Sequence, residues 1–345
     1  MDEALELWAA VMMQAPSPAS PEILSLFPSL FPILADGTES VPKALEILES
    51  YILLSPQTVL SDDVRSKLLY CLQDLLEPFT KQRSGVIPRL VERLIRGVEA
   101  VDGGSEAAYN AIAQSLVETN MLQSLLKGLY SAHEASQTTG PNRKRSDVDG
   151  KVETEYFSAI ARLALANPVT FASAATAATY QSEEELFTWL LTEWFFHYDN
   201  IASASQKKLH VLALTQLLAL KGPGSAPPTF ILKFLQDYLT VWNALVVELA
   251  EGGTDENADY LVFWNATAGS ETAQPEHSGV ENAEDRRGRE WNDSDATHRI
   301  PIRDFVRHRL QEVIASCGGA ERFQEEWLVN VDSHVVSAFG GLGLI

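Results

Sequence analysis

The sequence is short of what exported, redox-active or membrane-spanning proteins rely on. It has only two cysteines, Cys71 and Cys317, in 345 residues. They lie far apart and within apolar helical patterns. The expectation is buried, reduced thiols in a cytosolic or nuclear protein, not a disulfide framework. No run reaches the roughly 18 charge-free apolar residues of a membrane span. The most apolar stretch, Leu186 to Phe196, is too short and carries Glu193. The opening Met1-Asp2-Glu3-Ala4-Leu5-Glu6 is acidic, the opposite of a secretory or mitochondrial presequence. Positive charge is scarce: 26 Lys and Arg stand against 47 Asp and Glu, a net charge of −21. A phosphate backbone would be repelled, so the balance argues against nucleic-acid binding and favours basic partners. Acidity that serves only solubility gives the same composition.

Catalytic constellations are missing as well. The seven histidines are scattered, none has a His or Cys partner at a zinc-like spacing, and there is no HExxH. Asp332-Ser333-His334 holds three catalytic residue types, but on a helix adjacent side chains point about 100° apart and cannot hydrogen-bond in series. Gly340, Gly341 and Gly343 lack the lysine of a phosphate loop. Gly222 to Gly224 lacks the strand that should precede one. Carboxylate pairs such as Glu325-Glu326 read as solvated helix surface. The expectation is a non-enzyme with no cofactor and no metal.

What the chain has in quantity is helical periodicity. From Ser182 to Leu249 three apolar segments follow one another, separated by Asn200–Gln206 and Lys221–Pro228. In the third, Ile231, Leu235, Tyr238, Trp242, Leu245 and Leu249 recur at steps of four and three, one face of a helix. Short breaks make neighbouring helices antiparallel. Trp189, Trp194, Phe195 and Trp242 suit helix packing better than a binding groove. Elsewhere the start and stop signals are clear. Ser20-Pro21 is an N-cap followed by proline at the first helical position. Pro28 and Pro32 should interrupt the helix that follows. Asn167-Pro168 caps another helix, and Ser182 with Glu185 forms a capping box.

Alternate helices begin near Asp2, Ser40 and Ser84, a period of roughly forty residues with two helices in each. That matches HEAT or armadillo repeats of about 40–47 residues. One helical pair cannot bury its apolar face, but a stack of pairs can. The fold class expected is therefore all-α, an α-solenoid of stacked antiparallel hairpins. The division expected is repeats over 1–132 and 152–264, a mobile linker over 133–151, a disordered linker over 265–297 and closing helices over 298–345. Arg143-Lys144-Arg145 in the first linker reads as solvated loop ahead of a nuclear localisation signal. Asp259 to Trp264 is a short apolar patch.

Two segments carry a resemblance. Leu45-Glu46-Ile47-Leu48-Glu49-Ser50-Tyr51-Ile52-Leu53-Leu54-Ser55-Pro56 resembles a helix in the carboxy-terminal part of importin eleven-type receptors. Asp295-Ala296-Thr297-His298, followed by Ile300, Ile302 and Phe305, resembles the segment near their end. These receptors belong to the importin-β (karyopherin) superfamily. The resemblance runs from Leu7 to about Ala338 and has no short signature. It implies a HEAT-repeat receptor that moves between cytoplasm and nucleus through nuclear pores, meeting nucleoporins, basic protein cargo and the GTPase Ran. Nothing here resembles the amino-terminal, Ran-binding repeats of the superfamily, so the chain looks like a carboxy-terminal, cargo-facing portion. Carboxylates on partner-facing helices would then select basic cargo, the candidates being Asp62, Asp63, Asp74, Glu184, Glu193, Asp237 and Glu248. The competing reading is a HEAT-type scaffold subunit unrelated to transport.

Overall fold

The computed structural model describes residues 2–37, 39–222, 224–251 and 282–341. Local chemistry sets the breaks between helices. After α1 (Asp2–Gln14), the Ser20 hydroxyl accepts from the Ile23 amide and opens α2 (Pro21–Leu26). A 3-10 turn at Phe27–Ser29, with Pro28 inside it, separates α2 from α3 (Leu30–Asp36). This is the interruption expected of a proline that lacks an amide donor. The chain continues through α4 (Val41–Leu54), α5 (Pro56–Val59), α6 (Asp62–Lys81), α7 (Val86–Asp102), α8 (Glu106–Glu118) and α9 (Met121–Ser136). Then come α10 (Gly150–Ala166), α11 (Pro168–Thr179), α12 (Glu183–His197), α13 (Ala204–Leu217), α14 (Thr229–Leu232) and α15 (Leu235–Glu251). The last described elements are α16 (Ala283–Asp293), α17 (Ala296–Arg299), α18 (Ile302–Ser316), α19 (Ala320–Glu326) and α20 (Ser333–Gly341). No strand occurs among the described residues. Asn167 accepts from the Val169 and Thr170 amides at the start of α11. Ser182 and Glu185 make the reciprocal bonds of a capping box on α12.

The helices stack in two layers, an all-α solenoid. In one, α4, α7, α10, α13 and α15 lie side by side. In the other, α3, α6, α8, α9, α11 and α12 follow in turn. The forty-residue spacing holds for α1, α4 and α7 and then stretches. The hairpin α8–α9 and the loop after it delay α10 to Gly150.

One apolar cluster threads the stack from Leu5 to Phe339. Helix α10 is its middle: every residue from Val152 to Ala164 is buried, because α7, α9, α11 and α13 pack around it. A helix enclosed on all sides must bury whatever polar residues it carries, and α10 buries Glu153, Glu155 and Arg162. Trp194 and Trp242 are fully buried and Trp189 nearly so, as core residues. Phe195 is partly buried against the same core. Both cysteines are free thiols, Cys317 buried and Cys71 half-buried.

The expectation of disorder over 265–297 fails from Asn282 onward, where α16 and α17 form and dock; residues 265–281, and the apolar patch at Asp259–Trp264, lie outside the described residues. In the segment 133–151, α9 runs on to Ser136, and the loop beyond bonds back to it. The Asp147 amide donates to Ser131 at 3.0 Å, Lys144 pairs with Glu134, and Val148 is buried.

Candidate partner-binding site

The segment α16–α17 lies across α1, α4, α7, α10 and α13 as a strap. Asn282 and Asp285 form a capping box that starts it. Glu284, Arg287 and Trp291 then fall at steps of three and four, on one helix face. Glu284 accepts from the Ser50 hydroxyl of α4 at 2.6 Å. Arg287, itself buried, donates to the carbonyls of Met12, at 2.8 Å, and Ala15. The Met12 carbonyl is shared with the Ala15 amide at 3.2 Å, and the helix dipole makes this end of α1 negative. The Trp291 ring lies under the Arg96 guanidinium, whose carbon is 4.6 Å from the ring centroid. Arg96 also donates to the Trp291 carbonyl.

Asp295 closes the strap. Arg162 grips it with two bonds, 2.8 and 3.0 Å, and Arg96 adds a third contact at 3.0 Å. Arg162 in turn is held by Glu92 at 2.7 Å. All of these except Glu92 are at least nine-tenths buried. Burial by itself would raise the Asp295 carboxyl. The two guanidinium groups and the Thr297 amide more than offset it, holding the carboxyl well below the usual carboxylate range. Burial also pushes Arg96 down to about 10, against the pull of Asp295. Two cations facing two carboxylates leave the cluster neutral, which is what makes its burial tolerable.

Beside the strap a cleft of about 970 Å³ opens between α1, α4 and α16. Glu6, Glu46, Glu49, Glu284, Asp285 and Asp293 line it and outnumber Lys43, Arg93 and Arg289. Some of this charge is paired within the chain: Lys43 sits between Glu6 (3.3 Å) and Glu46 (2.6 Å), and Arg93 meets Glu49.

A second polar region lies inside the stack, between α9, α10, α12 and α13. Glu193 accepts from the Ser136 hydroxyl at 2.7 Å, with His133 at 3.5 Å. Burial raises its carboxyl, and the nearby Glu153 carboxylate adds to that. Glu153 meets His197 at 3.2 Å, and His197 meets Thr154 at 2.8 Å. His210 is fully enclosed. The Trp194 indole can only donate, so Nδ1 of His210 accepts (3.2 Å) and Nε2 carries the proton toward Ser158 (3.1 Å). Burial pushes this histidine down to about 3. The Ser136–Glu193, Glu153–His197 and Trp194–His210–Ser158 contacts each join two or more helices, while Oε1 of Glu153 is buried without a hydrogen bond.

The seven carboxylates singled out in the sequence do not form one surface. Asp62, Asp63 and Asp74 are exposed on α6, and Asp62 pairs with Arg65. Glu184 is exposed on α12, beside a groove lined by Pro227 and Trp327. Asp237 and Glu248 belong to α15, in the other layer; Asp237 is half-buried, which raises its carboxyl, and Glu248 pairs with Lys207 at 2.7 Å. Glu193 is not a surface group at all, being 2% exposed. Its place in the apolar run Leu186 to Phe196 is a weak signal, since Glu184 and Thr188 on the same helix are exposed. The strap residues gave no such signal, since Arg287 and Asp295 sit in a polar, charge-mixed run. Asp332-Ser333-His334 is the start of α20, the Asp332 carboxylate just before the helix accepting from the His334 amide at 2.7 Å. Among the described residues no group of three or more His, Cys, Asp or Glu is placed to hold a metal ion, and no helix is long and apolar enough to cross a membrane.

A stack of helical hairpins in two layers is of the helical-repeat class. Comparison with known proteins gives the family. The importin-11-like family, described by its TPR repeats, matches residues 1–344, and the chain belongs to it. It is 24% identical over 344 residues to importin beta-like protein kap113 of Schizosaccharomyces pombe, covering 98% of this chain and 30% of that one. It is 21% identical to mouse importin-11 over 350 residues, covering 98% and 31%, and 23% identical to importin beta-like protein KAP120 of Saccharomyces cerevisiae over 358 residues, covering 94% and 31%. The chain thus spans under a third of the length of these relatives. No solved structure is detectably similar. TPR and HEAT repeats are both stacked helical hairpins that differ in repeat length, so the family's description and the layered fold agree. The family is one of nuclear import receptors, which shuttle between nucleus and cytoplasm and are not as a rule enzymes.

Proposed function

We propose that this chain is the cargo-binding portion of a Ran-dependent nuclear import receptor and that it takes basic protein cargo. Membership of the importin-11-like family supports the transport role. The observation that supports a basic cargo is the cleft between α1, α4 and α16, where carboxylates outnumber cations in a protein of net charge −21. Such a surface acts mainly on encounter rate and choice of partner. Asp62, Asp63, Asp74 and Glu184 add exposed negative charge elsewhere, steering cargo in the same sense. Contacts with nucleoporins and passage through nuclear pores complete this reading, which places the protein in both nucleus and cytoplasm.

The test is capture from lysate on the immobilised chain, followed by binding of an abundant captured basic protein at rising salt. Lys substitution of both Glu46 and Glu49, on the cleft wall, should weaken that binding at least ten-fold, and raising salt should do the same in the unmodified chain. Release on adding Ran-GTP to receptor carrying these repeats marks transport. Recovery of a stable complex that ignores Ran-GTP would point to a scaffold instead. Equal binding at low and high salt would end the electrostatic account.

A further inference from the structure

We propose that the face of α4, α7 and α10, with the end of α1, is a binding groove for a short helix, and that the strap is its ligand supplied in cis. Three observations carry this. The first is the nature of the docking. The residues that α16 and α17 bury most deeply are Arg287 and Thr297, with Asp295 between the two helices. The solenoid helices bury leucine, phenylalanine and tryptophan. A segment attached through directional polar bonds adds little to the common apolar core, so it separates from it more readily than a core helix does.

The second is spacing. Arg287 and Trp291 stand four residues apart on α16, and Asp295 follows four further on, past the end of that helix, where it caps α17; they meet the solenoid in turn, with Arg96 shared by the last two. Arg287 takes the carbonyls at the end of α1, Trp291 takes the Arg96 guanidinium, and Asp295 takes the Arg96 and Arg162 pair. Recognition of a helix by side chains at regular steps is the usual form of helix-in-groove binding.

The third is that the receptors stand without the strap. Glu92 holds Arg162 from the solenoid side at 2.7 Å. Gly97 lies beneath the tip of Trp291, where a Cβ would make ordinary contact with the indole at 3.6 Å and press on Leu60 at 3.2 Å. When the strap lifts, a carboxylate-binding fork and a bed for an aromatic ring remain. The partner that fits is a helix on another protein carrying arginine and an aromatic residue four further on, with aspartate or glutamate four beyond that, just past the helix end. It enters by displacing the strap. Nothing in this depends on a role in transport.

The test uses the full chain and a labelled peptide of its own residues 282–299 as probe. Alanine at both Arg287 and Trp291 loosens the strap and leaves the groove intact. That variant should bind the peptide at least ten-fold more tightly than the unmodified chain, whose groove is filled. The peptide carrying Asp295→Asn should lose at least ten-fold. A folded double variant that ignores the peptide overturns the proposal, as does equal binding of the Asn peptide. Hydrogen exchange on the unmodified chain decides the matter if the variant does not fold. Strap amides exchanging at least ten-fold faster than those of α10 support a displaceable ligand; exchange at the rate of α10 makes the strap part of the core and sinks the idea.

Discussion

Helices α10 and α12 and the strap α16–α17 are opposite answers to the same problem, how to hold a helix against a solenoid. Around α10 and α12 the work is done by apolar surface: Phe157, Leu190, Trp194 and Leu212 are completely buried and interlock across helices. Polar groups there are enclosed by the core and satisfied inside it, as with Trp194, His210 and Ser158. On the strap the order is reversed. Charged groups make the attachment and Trp291 is only partly buried. Apolar burial is non-directional and cooperative, so a fault in it is felt by the whole stack. A charge cluster is directional and local, and its loss is felt where it sits.

Trp194→Ala should break the comparison from the core side and have the largest effect. Deleting a fully buried indole costs about 3–5 kcal/mol and also strands His210 Nδ1. The denaturant midpoint of the whole protein should fall accordingly; a shift confined to one segment would show that the core is not one unit. Asp295→Ala comes next. Two guanidinium groups lose their shared carboxylate, a loss of about 3 kcal/mol or more for a buried pair broken on one side. Because the strap can undock and hydrate what is left, exchange should quicken across 283–299 while the global midpoint moves little. A matching drop in global stability would place the strap in the core.

The smallest effect is in pH. His210 is held at about 3 against about 6.5 in an unfolded chain. Its contribution to stability is complete above pH 6.5 and is lost as pH falls, by about 1.4 kcal/mol per unit. The neighbouring Arg162 charge acts with burial in this, while protonation of Glu193, whose carboxyl is raised, partly opposes it. Asp295 is depressed, so its contribution persists until pH falls below the unfolded carboxylate value of about 4. Urea midpoints at pH 7.5, 6 and 5 should decline, and strap protection from exchange should weaken in the same sense, because burial also lowers His298 on α17. A flat midpoint over that range would deny His210 the role given to it.

Most of the solenoid was legible in the sequence. The steps of three and four from Leu235 to Leu249, Pro28 before α3, the cap at Asn167 and the box at Ser182 are local features, each set by residues within a few positions of one another; Ile231 falls instead on the separate α14, and Pro32 stays within α3. The site was much less legible. Glu193 reads as a surface carboxylate if taken alone, and only the packing of α9 against α12 buries it. Asp295 was noticed for a resemblance, not for its chemistry, because its partners Arg162 and Arg96 are more than a hundred residues away.

Sequence by itself determined that this chain is helical throughout its described part and where most helices start and stop, because backbone geometry and capping act over one turn. Only the tertiary structure decided which charges meet. Arg162 has no period or cap to mark it; its role comes from α10 lying between α7 and α13, where water is excluded and an unpaired charge could not stay.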